Sequence, residues 1–187
     1  EFGSLGRPIA RRMSEILGIM YYDRDIVEEV SKQLQLPVPT ISDVEERAPG
    51  SYFSMRFPLG NMTSDLQNKV FRAQQDIITE LADRESCIIV GRCADYVLRE
   101  KKNLMRVYIY TSYENKYDNC VNNLSMTPRE AKKMIRDVDQ ARIAYHMRYA
   151  GYMPDENKDI QIDSAFLGVE GTAWYLSQAA KHRFGVE

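Results

Sequence analysis

The stretch Cys87-Ile88-Ile89-Val90-Gly91-Arg92 carries the reading of the fold. Its first four residues are continuously apolar and largely β-branched, which predicts a short strand covered on both faces. Gly91-Arg92 ends the strand with a sharp turn and a cation. Upstream, Leu66, Val70, Ala73, Ile77 and Leu81 repeat at helical steps, predicting a helix over 65–83 with Ser64 as its N-cap. Downstream, a helix from about Ala94 to Arg99 leads to a second strand from Met105 to Tyr110. Thr111 with Glu114 forms a capping box for a helix running towards Leu124. Thr127-Pro128-Arg129-Glu130 opens another that reaches about Tyr149. Gly151 and Pro154 then break the chain, Ile160-Gln161-Ile162 reads as a last strand, and Val169 to about His182 as the closing helix. Near the start, Ile9, Met13, Ile16 and Leu17 outline a helix stopped by Gly18. Ile19 to Tyr22 is a brief strand tipped by Asp23, and Ile26, Val30 and Leu34 mark the helix after it. Short buried strands alternating with helices predict an α/β fold, a parallel sheet with helices on both faces. In such sheets ligands bind beyond the carboxyl ends of the strands. Asp23, Gly91-Arg92 and Thr111 are therefore the residues to inspect.

Between Leu36 and Ser64 the texture changes. Pro37, Pro39, Pro49 and Pro58 exclude long regular elements, while Tyr52, Phe53, Met55, Phe57 and Met62 are too apolar for a solvated linker. The segment 36–64 reads as an insertion that packs on the body or covers a cleft, with Ser42 and Glu45 capping one short helix. The 187 residues suit one domain spanning 1–187. A formal net charge of −2 gives no overall field for nucleic acid, so any anion site must be a local cluster. No window approaches the roughly 18 apolar residues of a membrane span. Three separated cysteines, Cys87, Cys93 and Cys120, read as reduced thiols of a cytoplasmic protein, and with only His146 and His182 beside them a zinc site is not expected.

Three constellations can carry chemistry. Gly3-Ser4-Leu5-Gly6-Arg7 runs straight into a helix, whose unsatisfied amides and dipole favour phosphate. The same residues also fit an ordinary turn, and Glu1-Phe-Gly-Ser4 fits a cloning junction. Arg92 would project into the crevice after its strand, or pair with a neighbouring acid such as Asp95. Arg129, Lys132, Lys133 and Arg136 form one basic stripe, continued by Asp139 and Arg142. That stripe fits either a solvated face held by ion pairs or a mobile lid closing over transferring phosphates.

Taken in order, Glu1-Phe-Gly-Ser-Leu-Gly-Arg7, Tyr21-Tyr-Asp23, Val90-Gly-Arg-Cys-Ala-Asp95, Arg136-Asp-Val-Asp-Gln-Ala-Arg142 and Ile162-Asp-Ser-Ala-Phe-Leu-Gly168 resemble the cytidylate kinase-like family. The resemblance implies a P-loop NTPase-type core of five parallel strands, an acceptor-side helical insertion and a helical lid over 125–157. It implies phosphoryl transfer from ATP with Mg2+, with CMP the default acceptor. Gly3, Ser4, Gly6 and Arg7 match the phosphate loop, Arg7 standing where true cytidylate kinases have lysine. Arg92 matches the arginine that holds the acceptor phosphate, with Asp23 and Asp95 near the acceptor. Arg136, Asp139 and Arg142 resemble the catalytic lid set, Arg136 lying one position closer to the acid.

The departures from the family pattern are specific. Ile9 stands where a Ser or Thr hydroxyl ligates magnesium, and Val90 where an acid precedes the Gly-Arg pair. Leu5 and Pro8 depart from the family's Gly-Gly-Arg-Glu form, adding a side chain to the loop and removing one amide donor. They point to altered nucleotide handling and keep two alternatives open. One is a kinase for a small hydroxy compound, since Tyr22-Asp23-Arg24-Asp25 resembles the strand-end acids of shikimate kinase-like proteins. The other is a nucleotide- or anion-binding protein with weak catalysis. The strand that precedes the loop in this fold is not among the 187 residues, so the chain is expected to begin downstream of it or to build its core differently.

Overall fold

The structure is a computed structural model that describes residues 1–41 and 62–185. Helix α1 (Gly6–Leu17) ends at Gly18, whose left-handed backbone (φ 64°) stops it where the sequence predicts. Strand β1 (Met20–Tyr22) follows, then α2 (Arg24–Leu34). Past the undescribed segment, α3 (Met62–Arg84) leads into β2 (Cys87–Ile89) and the short α4 (Ala94–Val97). Then come β3 (Val107–Tyr110), α5 (Tyr113–Asp118), a π-helical turn (Asn119–Asn123), and α6 (Pro128–Ala150). The chain closes with β4 (Ile160–Asp163) and α7 (Ser164–Phe184).

Strand pairing is parallel throughout. Met20, Tyr21 and Tyr22 face Cys87, Ile88 and Ile89, and Val107 to Tyr110 face Ile160 to Asp163. The α/β class is as expected, but the sheet differs from the five strands the resemblance implies. Four strands form two separate pairs among the described residues, because none of these residues bridges β2 to β3 by a ladder of hydrogen bonds.

The pleat of β2 explains why its sequence is apolar without alternation. Cys87 and Ile89 pack against the core built by β1, α2, α3 and α4, around Ile26, Val30, Val70 and Ile78. Ile88 points the other way, into a core formed by Ile9 and Met13 of α1 with Ala173 and Leu176 of α7. Val107 and Ile109 of β3 and Ile160 and Ile162 of β4 pack against the same second core. Each of the two pairs is thus tied to α1 and α7. Arg106 and Asp159 add a two-pronged ion pair where β3 and β4 begin (3.1–3.2 Å), and the Arg106 amide donates to the same carboxylate at 2.7 Å.

Several local expectations need correction. Helix α3 begins at Met62, so Ser64 lies inside its first turn rather than capping it. Helix α5 is capped by Ser112, whose hydroxyl accepts from the Asn115 amide, and not by Thr111. Thr111 lies in the link between β3 and α5 instead: its N–H donates to Glu1 Oε2 at 3.3 Å, and burial of its side chain removes it from the cap position. Helix α4 stops at Val97, and α7 starts five residues before Val169 but is interrupted at Gly168 (φ 64°, ψ −173°). The capping box at Thr127 is present as read, with Glu130 reaching back to the Thr127 amide at 2.9 Å. Ser42, Glu45 and most of 36–64 lie outside the described residues. The start of that segment packs on the body, since Ile41 is fully buried and Leu36 and Val38 lie against the first core.

Candidate functional site

The loop before α1 is organised from below. Gly3 has φ 77°, and a Cβ there would meet the Lys116 carbonyl oxygen at 3.0 Å and the Lys116 Cβ at 3.1 Å, so only glycine lets the loop lie on α5. Asn119, in the π-helical turn, donates from Nδ2 to the Gly3 carbonyl at 2.9 Å. Ser4 is fully buried and turns its hydroxyl inward to the Glu1 carbonyl (2.8 Å). Leu5 takes the helix-capping position with φ 58°, and no side chain caps α1. The first amides of α1 therefore keep the orientation that binds anions. Pro8 costs no intrahelical bond, because the first turn has none to lose.

Under this loop lies a cluster that sequence reading only half anticipates. Asp139 of α6 accepts the Phe2 amide at 2.7 Å through Oδ1 and Lys116 Nζ at 3.0 Å through Oδ2. Lys116 also pairs with Glu1 at 3.0 Å. Burial of Lys116 opposes its charge, but the bonds to Asp139 and Glu1 outweigh it and raise its pKa. Arg142 sits one turn beyond Asp139, its guanidinium 5.9 Å from the centre of the Phe2 ring. Lys116 is one residue the sequence reading missed, as are Lys158, His146 and Tyr152 around Asp95. For Lys116 the available signal was its place one turn before the fully buried Cys120, a lysine on an inward face.

On the other side of the loop, Asp23 is buried at the tip of β1 (4% exposed). Its carboxylate meets Arg7 Nε at 2.7 Å, Arg92 Nη2 at 3.8 Å and the Tyr21 hydroxyl at 3.4 Å. Arg7 and Arg92, read separately as donor-side and acceptor-side cations, thus share one carboxylate, which leaves the trio with an excess positive charge. Asp95 is engaged elsewhere, by Lys158 Nζ (2.8 Å), His146 Nε2 (3.2 Å) and the Tyr152 hydroxyl (3.3 Å). Burial alone would raise its pKa, but these hydrogen bonds and the Lys158 charge hold the carboxyl well below the usual carboxylate range. Tyr152 in turn is pushed up to about 12, by burial first and then by the Asp95 charge. Arg136 stands apart on the outer face of α6, two-thirds exposed and paired with Asp137 at 3.0 Å.

The donor set does not fit a magnesium site of the usual kind. Ile9 is completely buried in the second core and offers no oxygen, and Val90 supplies none beside Gly91. Among the described residues no three His, Cys, Asp or Glu side chains come together as metal ligands. No described helix is long and apolar enough to cross a membrane.

The sequence matches the model of the cytidylate kinase-like family over residues 1–165. No curated protein matches it. Among solved structures, it resembles the crystal structure of an uncharacterized protein from Eubacterium ventriosum. The two are 21% identical, with a TM-score of 0.68 over 97% of this chain and 92% of that one.

Proposed function

Because the chain belongs to the cytidylate kinase-like family, we propose that it binds ATP on a P-loop-type phosphate cradle and phosphorylates a nucleoside monophosphate, CMP by default. The observation that carries this reading is the uncapped start of α1, set between the Arg7–Asp23–Arg92 trio and the Lys116–Asp139 cluster with its neighbour Arg142. The loop amides of Gly3, Ser4 and Gly6 receive the donor phosphates, with Arg7 turning from Asp23 to join them. Arg92 takes the acceptor phosphate, whose oxygen attacks the terminal phosphorus as the bond to the bridging oxygen breaks and ADP departs. Charge spread over the phosphoryl oxygens is met by guanidinium groups, Arg142 beside the loop and Arg136 after release from its exposed pair with Asp137. Such a surface pair is worth at most about 1 kcal/mol, so its loss does not hold the arginine back. Asp139 works in this scheme by fixing the loop, and Asp95 by fixing the turn that bears Arg92. Substrate and product are small molecules, and neither nucleic acid nor membrane is a partner. The protein acts in the cytoplasm, where both nucleotides are found.

The buried Ile9 favours one other reading, a nucleotide- or anion-binding protein with weak catalysis. One panel separates them: ATP with each nucleoside monophosphate and with small polyols, with and without magnesium, read by product formation and by melting temperature. CMP-dependent formation of CDP is the expected result. Stabilisation by ATP without turnover would select the binding protein, and turnover with polyols alone would select a hydroxy-compound kinase. The absence of any nucleotide-dependent change would overturn all three.

A further inference from the structure

The turn that presents Arg92 has an unusual backbone. Gly91, Arg92 and Cys93 have φ angles of 75°, 58° and 53°, three left-handed residues in succession, two of them bearing side chains. L-residues with a Cβ rarely adopt this conformation, and it persists only where the surroundings over-determine it. Val90 donates to the Tyr22 carbonyl at 3.0 Å, and the Ala94 and Val97 amides donate back to Gly91 and Cys93 at 3.1 and 2.9 Å. Helix α4, a single turn, is too short to hold itself.

A further set of contacts comes from far along the chain. Lys158, His146 and Tyr152 converge on Asp95 in the first turn of α4, and the Lys158 and His146 side chains are themselves buried. Lys158 also donates to the Glu156 carbonyl at 2.8 Å, and His146 Nδ1 lies 2.9 Å from the Tyr152 carbonyl, so the three groups form one unit. His146 lies two helical turns beyond Asp139, on the same face of α6, about 10 Å along its axis. One face of one helix therefore reaches the phosphate loop through Asp139 and the Arg92 turn through His146.

We propose that Lys158, His146 and Tyr152 are positioning residues for the anion site at Arg92, acting through Asp95 to hold the left-handed turn in register with the phosphate loop. The role of Arg92 itself rests on the kinase reading; the holding of the turn does not. Two measurements keep these apart. Lys158→Met is expected to raise the KM for CMP about tenfold while the KM for ATP stays within about twofold, as displacement of one substrate-holding group requires. Lys158→Arg restores most of the loss, and Tyr152→Phe gives a smaller rise of about threefold in the same direction. Backbone amide exchange is followed in parallel at Ala94 and Val97, with Val30 of α2 as the reference. Lys158→Met is expected to speed exchange about tenfold at Ala94 and Val97 and to leave Val30 unchanged. Should that variant not fold, Tyr152→Phe carries both measurements. A wild type without turnover strikes the kinase reading alone, and the exchange rates then decide the proposal. Equal losses for both substrates, or exchange at Ala94 and Val97 no faster than in the wild type, would overturn it.

Discussion

Replacing Asp139 with alanine tests whether the phosphate loop is held from α6. The substitution removes two charge-assisted hydrogen bonds, from the Phe2 amide at 2.7 Å and from Lys116 Nζ at 3.0 Å. Bonds of this type contribute about 1.5–3 kcal/mol each. Breaking a buried pair outright costs about 3–5 kcal/mol, but Lys116 keeps its contact with Glu1 and is not left uncompensated. The net loss is therefore about 2–4 kcal/mol, a large share of the roughly 5–15 kcal/mol that stabilises a domain. At about 2–4 °C per kcal/mol for a chain of this size, Tm should fall by roughly 4–16 °C. Urea unfolding followed by circular dichroism measures the first quantity and a thermal scan the second. Lys116→Met should be strongly non-additive with Asp139→Ala, because each removes the other's partner. An Asp139→Ala protein within about 0.5 kcal/mol of wild type, or strict additivity in the pair, would refute the clamp.

Two other outcomes follow from the same geometry. Gly3→Ala forces a side chain into a left-handed position against the Lys116 carbonyl, so urea unfolding should show a loss of about 2–4 kcal/mol, and ATP should no longer raise Tm. Asp95 titrates far below its ordinary value near 3.8 when folded, so its contribution is complete above that value and declines as pH drops below about 4, where only the unfolded chain takes up the proton. The stability gap between wild type and Asp95→Asn should narrow steadily as the pH falls from about 4 to about 2.5 in urea titrations.

The alternation of strands and helices was legible because its determinants are local. Cys87 to Val90 is apolar at every position for the reason the pleat shows, with neighbours on both faces. The capping box at Thr127 needs only four consecutive residues and forms as read. Thr111 and Ser112 show where local reasoning stops. Both hydroxyls stand at the head of α5, and the choice between them is made by Glu1, which takes the Thr111 amide from the far end of the chain. The π-helical turn at Asn119–Asn123 has no sequence signature of its own, yet it places Asn119 on the Gly3 carbonyl.

The candidate site was legible as a set of residues more than as a set of partnerships. Gly3 and Arg7 stand out in the sequence as contacts for the donor phosphates, Asp23 and Arg92 as contacts for the acceptor. That Arg7 and Arg92 would meet on one carboxylate depends on β1 and β2 lying side by side, which composition and spacing do not encode. Asp95 was read as an acceptor contact, and its partners Lys158, His146 and Tyr152 lie beyond any local pattern. Arg136 and Asp139 looked alike on the helical stripe, and only burial separates the exposed ion pair of one from the loop clamp of the other.

The pairing of Met20 with Cys87 has a consequence for how the chain can vary. That contact closes a loop of chain containing the whole stretch 36–64. Loop-closure entropy grows only with the logarithm of length, so doubling such a loop costs about 0.6 kcal/mol. Lengthening the chain between Ile41, which is buried in the first core, and Met62, where α3 begins, therefore costs the strand pair little. The penalty falls on folding rate instead, since β1 must find β2 across a long separation before either strand is secure.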